Sequence, residues 1–354
     1  MTAIIFLVVL AALVFVHELG HFTAAKKLGI RVDEFAVGFP PRIFSKIYKG
    51  TRYSLNLIPF GGYVSIFGEN PDEENTKETA KDSFQAKPKW AQIIVLLAGV
   101  FMNVVFAWML YTAAFSIGVL SVAEEGDTNA KVTVISVVPD SPALAAGIEV
   151  GDAIVSVGSV DIMKVQDVRD AIQASTSTTV SVGVLGADGT IGSVQVDPRV
   201  SDSGDRTIGV GLGVVGVEKM PLHIAAWEAL KETWYQTGAI VGGTLSLVKD
   251  LVMGQADTTM VSGPVGIAGM VGDAAEFGIA QLLMFTAFIS LNLAVLNAMP
   301  FPALDGGRVL FILIEAIIRR PLPRSWQNYA NAAGFLLLMG LILILTVRDI
   351  GRLF

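Results

Sequence analysis

The run His17-Glu18-Leu19-Gly20-His21 constrains this chain more than any other stretch, because it sets three ionisable side chains at the end of an apolar segment. From Met1 to Val16 the only polar side chain is Thr2, and no charge precedes Glu18. Ionisable groups in an apolar span are costly and mark a function and a partner. On a helix, His17 and His21 stand four apart, so both imidazoles leave one face and can hold a single metal ion. Glu18 follows the first ligand and can reach a water as general base. The chain has three histidines, and two of them are placed here. A signal peptide would carry a basic start and a small-residue cleavage site, and no basic residue precedes the motif. The segment therefore reads as a retained membrane helix from about Ala3 to about Leu28, ended by Lys26, Lys27 and Gly29.

Composition agrees with a membrane protein. Of 354 residues, 53% are hydrophobic and 16% charged, well on the apolar side of a soluble domain. A net charge of -7 without a dense basic block excludes a nucleic-acid partner. The absence of cysteine excludes disulfides, thiolate chemistry and cysteine-ligated zinc.

Beyond the first helix the pattern stops being helical. Gly38-Phe39-Pro40-Pro41 is read as a break, and Tyr53 to Phe67 as a β-hairpin or looped strands: a plain surface hairpin, or an edge strand offered to an extended peptide. Glu69 to Pro88 is polar and unpatterned, a solvent loop. A second membrane helix runs from about Trp90 to about Leu120, with no charge between Lys89 and Glu124. Asn103 lies inside it and is read as a helix-packing contact, with a catalytic role the lesser alternative.

From about Asp127 to Val217 the character is that of a soluble β-rich domain. Lys131–Val138 and Thr179–Leu185 read as strands, Val150–Val157 as a turn followed by a strand, and Val165–Ala174 as a short helix. The run Ser141-Pro-Ala-Leu-Ala-Ala-Gly-Ile-Glu-Val-Gly-Asp152 resembles the signature of bacterial PDZ domains, which would frame a groove for a chain end or extended segment. Ile224, Trp227, Leu230, Trp234, Val241, Leu245, Val248 and Val252 then keep helical spacing. That stripe suits a helix on a membrane surface, or one packed on the domain before it. His223 reads as a surface residue, and Ser262–Ile267 as a loop or re-entrant turn.

A third membrane segment runs from near Ile279 to Asn297, where Met299-Pro-Phe-Pro-Ala-Leu-Asp-Gly-Gly-Arg308 interrupts it. Broken backbone at membrane depth is tolerated only against protein or a water-filled cavity. Asp305 in this break can cap a helix. It can also be a third metal ligand, since two histidines and one carboxylate leave a fourth position for water, as catalytic zinc requires. A final helix runs from about Tyr329 to about Val347. The basic residues cluster between the first two helices and at Arg319, Arg320 and Arg324, which assigns both links to the cytoplasm. Four spans then put both termini and the β-rich domain on the outer side.

His17-Glu18-x-x-His21 in the first span, Asn297-x-x-Pro300-x-Pro302-x-Leu304-Asp305-Gly306 after the third, and a PDZ-like segment between them resemble the site-2 protease family, in its bacterial RseP-type branch. One departure is a single PDZ-like segment where some members have two. The resemblance implies a polytopic α-helical membrane protein of about four transmembrane helices, in the bacterial cytoplasmic (inner) membrane. An extracytoplasmic β-rich PDZ-like domain would be inserted in it, with a membrane-associated β-hairpin. It divides the chain into residues 1–126 (two helices, the histidine motif and the hairpin), 127–217 (the PDZ-like domain), 218–277 (amphipathic helix and loop) and 278–354 (two helices and the Leu-Asp-Gly motif).

By the same resemblance His17, His21 and Asp305 hold Zn2+ and Glu18 is the general base. Asn297 and Asn292 are candidates to hold unwound substrate backbone, with helix packing the other reading for both. The reaction implied is peptide-bond hydrolysis within the lipid bilayer, in regulated intramembrane proteolysis. The substrate would be a single-span protein, an anti-sigma factor trimmed by an upstream protease or a remnant signal peptide. The alternative is a non-catalytic zinc-binding adaptor whose PDZ-like domain binds protein ends, although a scaffold would not need a base beside the ligands. A metal transporter fits less well, because only one cluster of intramembrane ligands is present.

Overall fold

The computed structural model describes residues 1–69, 81–122, 130–175, 177–186, 190–200, 204–255 and 262–351. The apolar N-terminal run forms α1 (Thr2–Lys27). Strands β1 (Val32–Tyr48) and β2 (Thr51–Ile66) follow as an antiparallel pair. Next come α2 (Lys89–Ile117), β3 (Val119–Val122), β4 (Lys131–Val137), α3 (Pro142–Ala145), β5 (Ala153–Val157), β6 (Val160–Asp161), α4 (Val165–Ala174), β7 (Val180–Leu185) and β8 (Ile191–Val196). The chain continues through β9 (Arg199–Val200), β10 (Arg206–Thr207), β11 (Val210–Glu218), α5 (Leu222–Val252), α6 (Pro264–Glu276), α7 (Ile279–Ala298), α8 (Asp305–Ile318) and α9 (Arg324–Gly351). By length and composition α1, α2, α7 and α9 can each cross a membrane.

The chain divides into two compact units. One contains residues Met1–Ala113, Leu222–Ala275 and Leu282–Phe354. Within it β1 and β2 are long and fold back on themselves. Residues 32–37 pair with 62–66 on one side and 52–55 on the other, while 42–48 pair with residues 51–56. The paired ribbon thus has residues 62–66 as an outer strand. The Gly38–Pro41 stretch, expected to break regular structure, lies inside β1, and the break appears as a shift of register around Phe39. Ala25, Ile30, Val32, Ile66, Val95, Leu96 and Ile312 form one buried cluster that joins α1, the hairpin, α2 and α8.

The other unit contains Ala114–Pro221 with Glu276–Gln281. Its sheet has strand order β3-β11-β4-β5-β7-β8. Val132 and Val134 alternate inward along β4, and Val168 and Ile172, four apart, present one face of α4 to the same core. Fully buried Ile148 and Ile154 sit in that core, each stabilising the unit by about 1.5–3 kcal/mol.

Several elements differ from the sequence expectation. The second helix stops at Ile117 because Gly118 turns the chain at φ +119°, and the last apolar residues become β3. Residues 264–267, expected as a loop, open α6, with Pro264 at its first position. The 69–88 segment is not all solvent loop: Ser83 and Phe84 are buried, while residues 70–80 lie outside the described part. The apolar stripe of α5 does not pack inward, since Trp227, Leu230 and Leu245 are exposed and Trp234 is 83% exposed. Small residues form the buried face instead, with Ala225, Ala229 and Thr233 inward and the Trp108 indole of α2 donating to the Ala226 carbonyl. The expected stripe thus faces outward.

Candidate metal centre

His17 and His21 leave α1 on the face that meets α2, and both are buried. The helices approach closely there because Gly20 and Gly99 have no side chains. A Cβ on Gly20 would fall 2.3 Å from the Ala98 carbonyl oxygen, and one on Gly99 would fall 2.5 Å from His21 Nε2.

Asp305 arrives from the break after α7. That break is stitched by its own backbone, Phe301 N–H donating to the Met299 carbonyl (2.7 Å) and Leu304 N–H to that of Phe301 (3.2 Å). The Asn331 side chain of α9 accepts from Ala303 N–H (3.1 Å), so non-helical backbone here is satisfied by protein. The glycines after Asp305 have a steric cause. A Cβ on Gly306 would meet the Met299 carbonyl oxygen at 2.2 Å, and one on Gly307 that of Phe301 at 2.1 Å. Asp305 itself is the first residue of α8, with Leu304 as its cap. It does not serve as the capping residue, and its carboxylate meets the imidazoles.

His17 Nε2 lies 3.1 Å from Asp305 Oδ2, His21 Nε2 lies 3.3 Å from the same oxygen, and the two Nε2 atoms are 3.1 Å apart. A tetrahedral centre with bonds of about 2.0–2.1 Å sets its ligand atoms about 3.3 Å apart. Two imidazoles and a carboxylate at this spacing therefore fit zinc in both donor type and separation. Among the described residues this is the group of three side chains arranged to hold a metal. His21 Nδ1 donates to the Val95 carbonyl (2.8 Å). A carbonyl can only accept, so that bond fixes the proton on Nδ1 and leaves Nε2 bare toward the centre.

Glu18 is half-buried on a different face of α1. It shares that face with Phe15 and Phe22, whose rings meet Phe35 of β1 at 5.6 and 5.3 Å. The Glu18 side chain thereby lies against the outer strand: a Cβ on Gly62 would meet Glu18 Cγ at 3.7 Å. His17, His21 and Asp305 lie within its electrostatic range.

Of the six residues expected to form the site, His17, Glu18, His21 and Asp305 are brought together. Asn297 and Asn292 sit on α7, half-buried, and the Asn292 amide donates to the Phe288 carbonyl of its own helix (2.9 Å). His223 is exposed. Asn103 is more than the packing contact expected of it, since its side-chain amide lies 3.3 Å from His17 Nδ1. The spacing Gly99-x-x-x-Asn103, one turn of one helix face, was the available signal for both residues.

Glu69, just after β2, forms an ion pair with Arg308 of α8. Both line a cavity of about 580 Å³ that also takes in Gln92, Glu315, Gln327 and Asn331.

The model of peptidase family M50 matches residues 5–341. A protein of Clostridium perfringens named "Putative zinc metalloprotease" is 37% identical over 346 residues, 97% of each chain. Proteins of the same descriptive name from Nostoc and Agrobacterium fabrum are 32% and 29% identical, over 100% and 98% of this chain and 97% and 95% of theirs. Among solved structures, the PDZ domains of SdrC-like proteins from Listeria monocytogenes and Listeria innocua match 26% and 23% of this chain and 92% of each of theirs. Their TM-scores are 0.22 and 0.21, at 22% and 23% identity.

Proposed function

Because the chain belongs to peptidase family M50, we propose that it is an intramembrane zinc metalloprotease hydrolysing peptide bonds in the transmembrane segment of a single-span substrate. The observation that carries this reading is the triangle of His17 Nε2, His21 Nε2 and Asp305 Oδ2, with edges of 3.1–3.3 Å, in a chain whose described residues include four helices apolar enough to span a bilayer. His17, His21 and Asp305 would hold the zinc. When bound, zinc supplies a Lewis acid that acidifies a water and stabilises negative charge developing on a carbonyl oxygen.

The remaining work falls to the chain. Glu18, which lies against the outer strand, accepts a proton from the attacking water and returns it to the leaving amine. A peptide bond inside a helix is shielded by its own hydrogen bonds, so the substrate must unwind. Residues 62–66 pair only on their 32–37 side among the described residues, which supports addition of the unwound segment as a further strand. Asn297, near the end of α7, is the amide assigned to steady that segment, with Asn292 behind it.

The distribution of basic residues supports a cytoplasmic hairpin side and an extracytoplasmic β-rich domain in a bacterial inner membrane. With the motif at Ser141–Asp152, that domain is assigned as PDZ-like, docking or excluding substrates by size. Anti-sigma factors and remnant signal peptides, after an upstream protease has shortened them, are the assigned substrate class.

The test compares wild type and Glu18→Gln on a single-span substrate in detergent, with zinc quantified in both. Cleavage by wild type, none by Glu18→Gln, and equal zinc supports the proposal. Zinc in both without cleavage by either would favour a zinc-binding adaptor, and a wild type that binds no zinc would sink the centre.

A further inference from the structure

A metal centre made of two histidines requires that each ring present a bare nitrogen to it. For His21 the backbone settles this, because the Val95 carbonyl can only accept and so holds the proton on Nδ1. Among the described residues no backbone group plays that part for His17. Its Nδ1 faces the side chain of Asn103, at 3.3 Å from the amide nitrogen.

Asn103 is fully buried, at 0% exposure. Its main chain is fixed, since Ser290 of α7 donates through Oγ to the Asn103 carbonyl (2.8 Å). Its side-chain oxygen has no hydrogen-bond partner. The far end of the amide therefore does not determine which way the group is turned, and its oxygen and nitrogen occupy interchangeable positions. The choice is made at His17.

Two patterns are available there. With the amide nitrogen donating to Nδ1, the imidazole proton sits on Nε2 and points at Asp305 Oδ2, 3.1 Å away. With the amide turned over, its oxygen accepts from Nδ1–H and Nε2 is left bare, matching His21. Only the second leaves both histidines able to ligate.

We propose that Asn103 is a positioning residue that selects the metal-binding tautomer of His17, its side-chain oxygen accepting the Nδ1 proton as the Val95 carbonyl does for His21. The proposal rests on the zinc reading of the centre. It makes the two ligands equivalent by different means, one through a main-chain carbonyl and the other through an amide that can turn.

The test measures zinc affinity of the full-length protein in detergent, by competition with a chromophoric chelator, without reference to proteolysis. Asn103→Leu keeps the volume and removes the acceptor, and Asn103→Asp keeps an oxygen toward His17 in either orientation. The expected result is affinity about 10–100-fold weaker in Asn103→Leu, and close to wild type or tighter in Asn103→Asp. If leucine lowers the unfolding midpoint, Asn103→Ala carries the same expectation. Affinity unchanged in Asn103→Leu and Asn103→Ala would reduce Asn103 to a packing residue. Affinity as weak in Asn103→Asp as in Asn103→Leu would show that the acceptor oxygen is not what matters. A wild type without zinc would instead overturn the centre itself, and this inference with it.

Discussion

Gly99 of α2 stands so close to His21 of α1 that a single added carbon would lie 2.5 Å from its Nε2, and 2.7 Å from Cε1 of His17. Both rings are buried. Gly99→Ala is therefore expected to weaken zinc binding by about 10–100-fold, as loss of support around a ligand does. Gly238→Ala in α5 is the control, because open space surrounds Gly238. Zinc per protein after dialysis, measured on both variants, checks the contrast.

Removing the carboxylate should cost more than removing its supports. Asp305 Oδ2 is shared by both imidazoles, and an amide offers only a neutral oxygen in its place. Asp305→Asn is expected to lower zinc affinity by more than the about 100-fold upper range for outer groups. Chelator competition reads it directly. Affinity equal to wild type would remove Asp305 from the ligand set.

The strand and the metal centre can be separated at Gly62. A Cβ there would meet the Ala36 carbonyl oxygen at 2.7 Å and Glu18 Cγ at 3.7 Å, pushing residues 62–66 away from 32–37. A displacement of about 1 Å near reacting groups costs about 10²-fold in rate. Gly62→Ala should accordingly depress cleavage of a single-span substrate by about that factor with zinc content unchanged. Equal cleavage would argue that residues 62–66 do not hold substrate.

One pH effect belongs to the β-rich unit. Asp167 accepts N–H groups of Met163 (3.0 Å) and Lys164 (2.8 Å) at the start of α4, and those bonds hold its carboxyl below the usual range. A carboxyl lowered by folding contributes stability that is full above the unfolded value near about 3.9 and is lost as pH falls through the folded one. Asp167→Ala should therefore lower the unfolding midpoint at pH 7, and the gap from wild type should close in acid below about pH 4. A gap independent of pH would assign the effect to something other than the carboxylate.

The sequence made the candidate ligands legible because four-residue spacing puts two histidines on one helix face and charge in an apolar run is conspicuous. Asp305 was legible for the second reason. The tertiary partners were not. Val95 acts through a backbone carbonyl, which every residue possesses, and Gly99 acts by having nothing where the imidazoles lie. Asn103 could be seen but not interpreted, since an amide in an apolar helix looks the same whether it touches a neighbouring helix or a ligand. The hairpin was underestimated for a related reason. Prolines and Gly38 end ordinary strands, and a ribbon that shifts register can absorb them. The stripe on α5 shows the converse limit: periodicity reveals an apolar face, and only the small residues opposite it reveal which side is buried.

Residues 62–66 carry one more implication. Gly62 lies against Glu18, which is about 14 Å along α1 from its Lys27 end at 1.5 Å per residue. Peptide groups along the outer side of that strand cannot be left to hydrocarbon, where each unmet hydrogen bond costs several kcal/mol. If α1 crosses the bilayer, water must accompany the strand to that depth before any substrate arrives. The membrane around this face would then be thinned or indented at rest, and a substrate helix drawn to it would begin to unravel at the edge of a wet depression, not in oil.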